Sequence, residues 1–245
     1  MVPSWTETLI KAGVQVVGRT RFCLHPADAV SSIPIVGGTK DWNEEKVRAA
    51  RPDLLVLDRE ENPKWMAEQP DLPYWASHIS SVSSLPAALD DLAQALAVPA
   101  FSDLARRWDS VCQQPVGRCP MPDGDWPGVV EWGRRPSANV SSVLYVIWRD
   151  PWMAVGPETF IGSVLQKLGM TVHPYPERYP VVDLQALPAD TLLLFSSEPF
   201  PFLRRREGLD DLANPYAFVD GESFSWFGVR SLEFLEQTLL PPDSP

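Results

Sequence analysis

One order of signals occurs twice along this chain of 245 residues. In the first copy, Trp5-Thr6-Glu7-Thr8-Leu9-Ile10 reads as a short helix capped by Gly13, followed by the apolar run Val14-Gln15-Val16-Val17-Gly18. In the second, Gly156-Pro157-Glu158-Thr159-Phe160-Ile161 leads to Gly169 and then Met170-Thr171-Val172. Thr6 and Pro157 serve as helix starters, each with a glutamate in the first turn. Further on, the helix start Asn43-Glu44-Glu45 is stopped by Arg51-Pro52-Asp53 before a strand over 54–57. Its counterpart Val182–Leu187 is stopped by Pro188-Ala189-Asp190 before a strand over 191–195. Apolar runs of four or five residues between such signals fit buried parallel strands. Two helix–strand–helix–strand units in the same order imply two similar α/β lobes.

Between the copies, Pro86–Ala97 and Phe101–Cys112 carry apolar residues at helical spacing, broken at Pro99. The stretch Pro115–Ser137, with Trp126 and Trp132, reads as a long ordered connection. Val143–Ile147 then opens the second lobe as a strand. The expected division is a first lobe over 1–98, a bridging helix and connection over 99–137, and a second lobe over 138–245.

A net charge of −11 argues against nucleic acid as a partner, because only Arg204-Arg205-Arg206 forms a basic run. No apolar stretch reaches the ~18 residues that span a bilayer, so the chain is expected not to be membrane-embedded. Three cysteines in a chain of this size are too few for a disulfide framework. The first residues lack a basic stretch and an apolar core, so as written the chain reads as cytoplasmic, and as periplasmic if the true start lies upstream.

Ligands of open α/β sheets bind at the carboxyl ends of strands. In the first lobe that rule selects Trp5, the run Arg21-Phe22-Cys23-Leu24-His25-Pro26, and Glu60-Glu61-Asn62. In the second it selects Trp148-Arg149-Asp150-Pro151-Trp152, Tyr179 and Glu198, with Asp220–Trp226 read as a strand end and loop. Ten tryptophans, two of them flanking Arg149, suit stacking on a flat conjugated ligand; core packing is the alternative reading. Cys23-x-His25 is a weak metal-ligand pattern without a second Cys/His cluster, and a histidine held in a loop explains it as well. No G-x-S-x-G, H-E-x-x-H, P-loop or G-x-G-x-x-G motif occurs. Residues two apart on an extended chain face opposite ways, so Cys23 and His25 do not read as a nucleophile–base pair. The expectation is a binding protein, with no catalytic residues and no required cofactor.

The chain resembles the helical-backbone (class III) family of substrate-binding proteins, the cobalamin- and siderophore-type receptors of ABC importers. The resemblance is carried by Val2-Pro3-Ser4-Trp5-Thr6-Glu7, Val36-Gly37-Gly38-Thr39, Arg51-Pro52-Asp53-Leu54-Leu55-Val56-Leu57, Val155-Gly156-Pro157-Glu158-Thr159-Phe160 and the strand before Glu198. It implies two Rossmann-like α/β lobes with parallel sheets, bridged by a helix, with the ligand cleft between lobes. It further implies a monomer that binds a corrinoid such as cobalamin, or another metal chelate, and docks on an ABC permease. The ligand residues would be Trp5, Arg21, His25, Glu61, Trp148, Arg149, Trp152, Tyr179, Glu198 and Trp226. Docking in the family resembles one acidic residue per lobe: Glu45 matches in the first, while the second offers a shifted Asp183 or the uncharged Gln185. The family's opening strand is represented here by Met1-Val2 alone. A cytoplasmic enzyme or metal-processing factor with the same two-lobed fold is the alternative, and an interaction protein a third.

Overall fold

The structure, a computed structural model, describes residues 2–69 and 71–239. The chain divides into two units. Unit 1 takes the chain through Ile79, then Ser83–Cys112 and Trp226–Leu232. Unit 2 takes Ser80–Val82, Gln113–Ser225 and the chain from Glu233 onward.

Unit 1 begins with α1 (Pro3–Lys11). This helix starts at Pro3 rather than Thr6, because proline's fixed φ suits the first helical position and its missing N–H costs nothing there. Thr6 instead lies buried against Cys23, and Glu7 sits past the first turn, where it accepts two hydrogen bonds from Arg230 (2.8 and 2.9 Å). Then come β1 (Arg19–Thr20), α2 (Ala27–Val30), β2 (Ile35–Gly37), α3 (Glu44–Ala50), β3 (Leu55–Asp58) and β4 (Tyr74–Ser77). Asn43 caps α3 through Lys46 N, and Arg51 closes it in the left-handed region. The helices α4 (Leu85–Leu96) and α5 (Ala100–Gln113) follow, the latter ending one residue past Cys112, where this stretch of unit 1 stops. The strands pair as two separate parallel ribbons, β1–β2 and β3–β4. The strand expected over Val14–Gly18 joins neither: pairing begins only at Arg19, and residues 15–18 have no ladder partner among the described residues.

Unit 2 holds one five-stranded sheet in the order β5-β9-β8-β6-β7. Its strands are β5 (Val129–Arg134), β6 (Ser142–Trp148), β7 (Met153–Ala154), β8 (Thr191–Ser196) and β9 (Tyr216–Val219). β6, β8 and β9 are mutually parallel; β5 and β7 close the edges antiparallel. The helix α6 (Phe160–Lys167) lies between β7 and β8 in the chain, and α7 (Gly221–Ser225) follows β9. The last helix, α8 (Val229–Leu239), begins in unit 1 and ends in unit 2.

Four expectations are corrected here. The connection over 115–137 contains β5, an edge strand in which Val130, Glu131, Gly133 and Arg134 are exposed. α6 starts at Phe160, capped by Thr159, whose hydroxyl accepts from Gly162 N (3.0 Å); Pro157 and Glu158 precede the helix. Val182–Leu187 forms only a 3-10 turn over Leu184–Ala186, since Pro188 leaves no room for a second turn. The segment 220–226 is mostly α7 rather than loop.

Candidate functional site

In unit 2 the parallel strands β6, β8 and β9 deliver three loops from their carboxyl ends. Trp148, the last residue of β6, is 41% exposed. Its ring meets Phe200 edge-on at 5.8 Å, Phe200 meets Phe202 at 4.6 Å, and Phe202 stacks on Trp152 at 6.0 Å with 15° between planes. The Arg149 guanidinium lies over Trp152 at 5.1 Å. This row of rings runs from the buried Phe202 and Phe195 out to the half-exposed Trp148. A rigid aromatic row with a cation at its rim can stack a flat ligand and pair with its carboxylates.

Tyr179, 46% exposed, is tied to the same hairpin. Ala154 N donates to Pro180 O (3.1 Å), Gly156 N donates to Arg178 O (2.8 Å), and Val182 N donates to Trp152 O (2.9 Å). Any Cβ at Gly156 would strike the Glu177 carbonyl, so glycine is required for the chain before Tyr179 to pack there. Glu198 accepts from Ser225 Oγ (2.6 Å) and its backbone N–H donates to Ser196 Oγ (3.3 Å). The Ser196 hydroxyl also accepts from Tyr145, whose phenol is driven far above its usual range by complete burial. The peptides Asp150-Pro151 and Glu198-Pro199 are cis, which shapes both loops. Trp148, Arg149, Trp152, Tyr179 and Glu198 thus lie on loops sharing one end of one sheet.

Unit 1 distributes its candidates differently. Trp5 has no exposed surface: its ring packs edge-on against Trp75 (5.2 Å) and Phe227 (5.3 Å), and Nε1 donates to Ser77 Oγ (2.8 Å). Ser77 in turn donates to Asp58 Oδ2 (2.6 Å), and Asp58 Oδ1 accepts from Glu60 N (2.9 Å). Trp5 therefore acts as a prop beneath the loop that carries Glu61. Glu61 keeps an exposed surface, yet crowding around its carboxyl raises its pKa, with the Asp58 carboxylate adding to the effect. Trp226 is likewise buried, with the His25 ring edge-on at 5.4 Å and the Arg230 guanidinium at 5.2 Å.

Arg21 is exposed, ion-paired to Asp41 (2.9 Å) and set over Phe22 at 5.0 Å. Cys23 points inward, its sulfur 3.1 Å from both the Thr6 and Thr20 hydroxyls, whereas His25 turns to Trp226. Among the described residues no three His, Cys, Asp or Glu side chains converge as a metal site would require. Glu45 is exposed in the first turn of α3. Asp183 caps its 3-10 turn through Gln185 N (3.0 Å). Within the run selected from the sequence, Phe22 (47% exposed) and Leu24 (56%) flank the inward Cys23, although neither was named as a ligand residue. Phe200 was not singled out; its flanking prolines hid it.

The fold defined by these elements is that of the class III periplasmic binding proteins, as the resemblance implied. The chain matches the periplasmic vitamin B12 binding protein BtuF of Vibrio cholerae with a TM-score of 0.71 at 16% identity, over 98% of this chain and 93% of that one. It matches the periplasmic heme binding protein HutB of Vibrio cholerae with a TM-score of 0.69 at 17% identity, over 98% and 96%. It also matches the periplasmic heme-binding protein RhuT from Roseiflexus sp. RS-1 with a TM-score of 0.66 at 15% identity, over 97% and 94%. No protein-family model and no curated protein matches the chain. At these identities the likeness shows the fold. No described helix is long and apolar enough to cross a membrane.

Proposed function

We propose that this chain is a solute-binding protein for a large, flat metal chelate, a corrinoid such as cobalamin or a haem, and that it catalyses no reaction. The observation that carries the reading is the aromatic row Trp148–Phe200–Phe202–Trp152 with Arg149 at its rim. Binding proteins for vitamin B12 and for heme share the fold, which supports the same class of solute here. A flat ligand stacks on Trp148, while Arg149 pairs with peripheral carboxylates or amide oxygens. Tyr179 and Glu198 supply polar contacts from neighbouring loops, and the chelate brings its own metal. Delivery to an ABC permease in the envelope, with Glu45 as one docking contact, completes the role.

A thermal-shift panel of cyanocobalamin, cobinamide, haemin, ferric siderophores and divalent metals tests this directly. A ligand at 100 times its Kd stabilises the fold by ~2.7 kcal/mol. A shift of several degrees with a planar chelate, and none with bare metals, is expected. A shift with bare metals alone would overturn the reading.

A further inference from the structure

We propose that the site in unit 2 selects flat chelates whose edge carries two or more ionised acid groups, and that Arg204 and Arg205 make that selection together with Arg149. The inference rests on the stacking reading above and adds the periphery the ligand must have. The basic run Arg204-Arg205-Arg206 follows directly on the aromatic row. Phe202 opens a 3-10 turn that ends at Arg204, and Arg205 N donates to both Pro201 O (3.1 Å) and Phe202 O (3.0 Å). Arg204 and Arg205 are thus fixed at their backbone beside a fully buried ring, and both are exposed. Gly208 brings the same segment back to Arg149: a Cβ there would lie 3.7 Å from the Arg149 Nη2. Cations on the loops that follow β6 and β8 therefore border one row of rings.

The members of the run differ in what neutralises them. Arg206 is ion-paired to Glu131 (2.7 Å) and lies over the Phe218 ring at 5.0 Å. Arg149, Arg204 and Arg205 form no ion pair among the described residues, although the chain holds 32 acidic against 21 basic side chains. Asp150 and Glu207 adjoin them in sequence without bonding them, and Asp210 is engaged by the Tyr216 hydroxyl. Three guanidiniums without a carboxylate partner, beside an aromatic surface, make a local positive potential within an acidic molecule. A guanidinium matches a carboxylate's two oxygens with paired N–H donors and gains more from that anion than from a neutral amide oxygen. With its rings on Trp148, a chelate with acid groups on its edge meets these cations; one with an amide edge gains only neutral hydrogen bonds.

The test titrates wild type and the double variant Arg204→Gln/Arg205→Gln with three probes at low and high salt. Haemin carries two ionised propionates, haemin dimethyl ester has the same rings with an uncharged edge, and cyanocobalamin has an amide edge. Wild type is expected to bind haemin about tenfold or more tighter than the ester at low salt, with the gap narrowing as salt rises. The double variant should lose about tenfold for haemin and nothing for the ester, which also shows that its rings still find an intact site. Arg204→Lys/Arg205→Lys should recover most of the loss. Equal loss for haemin and its ester, no loss for haemin, or wild-type binding of the ester or cyanocobalamin as tight as that of haemin would each overturn the selection and leave the stacking site standing. Failure of the wild type to bind any of the three would overturn the stacking reading itself, and the selection with it.

Discussion

Trp148 and Trp5 carry the same side chain in opposite surroundings. Trp148 leaves 41% of its surface in solvent, and Trp5 leaves none. Trp148→Ala should therefore cost about 1 kcal/mol or less in stability and weaken chelate binding at least tenfold, in line with stacking worth ~0.5–1.5 kcal/mol beyond area. Trp5→Ala should cost ~3–5 kcal/mol, because it empties the core and removes a donor from the Ser77–Asp58 pair; urea midpoints separate the two. Glu61 gives a pH signature. Its pKa is raised in the fold, so its favourable contribution is complete below the ordinary carboxylate value and lost as pH rises through the raised one. Glu61→Gln should thus raise Tm at pH 7 and leave it unchanged at pH 3. The strand-end rule selected both from the sequence, but Trp148 ends β6 whereas Trp5 lies in α1. The sequence could not reveal which of them faces water, since burial depends on partners such as Ser77 and Phe227 that lie 72 or more residues away.

At the scale of elements, the central strands were legible and the edges were not. β3, β6 and β8 are buried on both faces and so appear as unbroken apolar runs, and α3 announces itself through the Asn43 cap. β5 has one side in solvent and β7 has two residues, so neither leaves a run to detect. Val14–Gly18 has a strand's composition without a strand's partner among the described residues, a conflict that composition alone does not expose. Glu7 and Arg230 tie α1 to the start of α8 across 223 residues. Glu7 is 4% exposed in its side chain, so Glu7→Ala strands a partly buried cation and should cost about 3 kcal/mol in urea unfolding. Gly156→Ala should displace the chain before Tyr179 and weaken chelate binding more than it lowers Tm, which parallel titration and melting would resolve.

For the whole molecule, the repeated order of signals gave two α/β units, and the structure has two. The return of Trp226–Leu232 to unit 1 had no such signal, because nothing local in that heptad marks where it packs. The chain carries a net charge of −11, so an anionic chelate depends on local cations such as Arg149, which is set against the aromatic row. Arg149→Glu should therefore weaken haemin more than the uncharged periphery of cyanocobalamin, and added salt should narrow that difference. The most direct measurement is an absorbance titration of wild-type protein and Trp148→Ala with haemin and with cyanocobalamin. The account predicts saturable one-to-one binding of at least one of them to the wild type, weakened tenfold or more in the variant. Binding that is equal in both proteins, or no saturable change with either ligand, would contradict it.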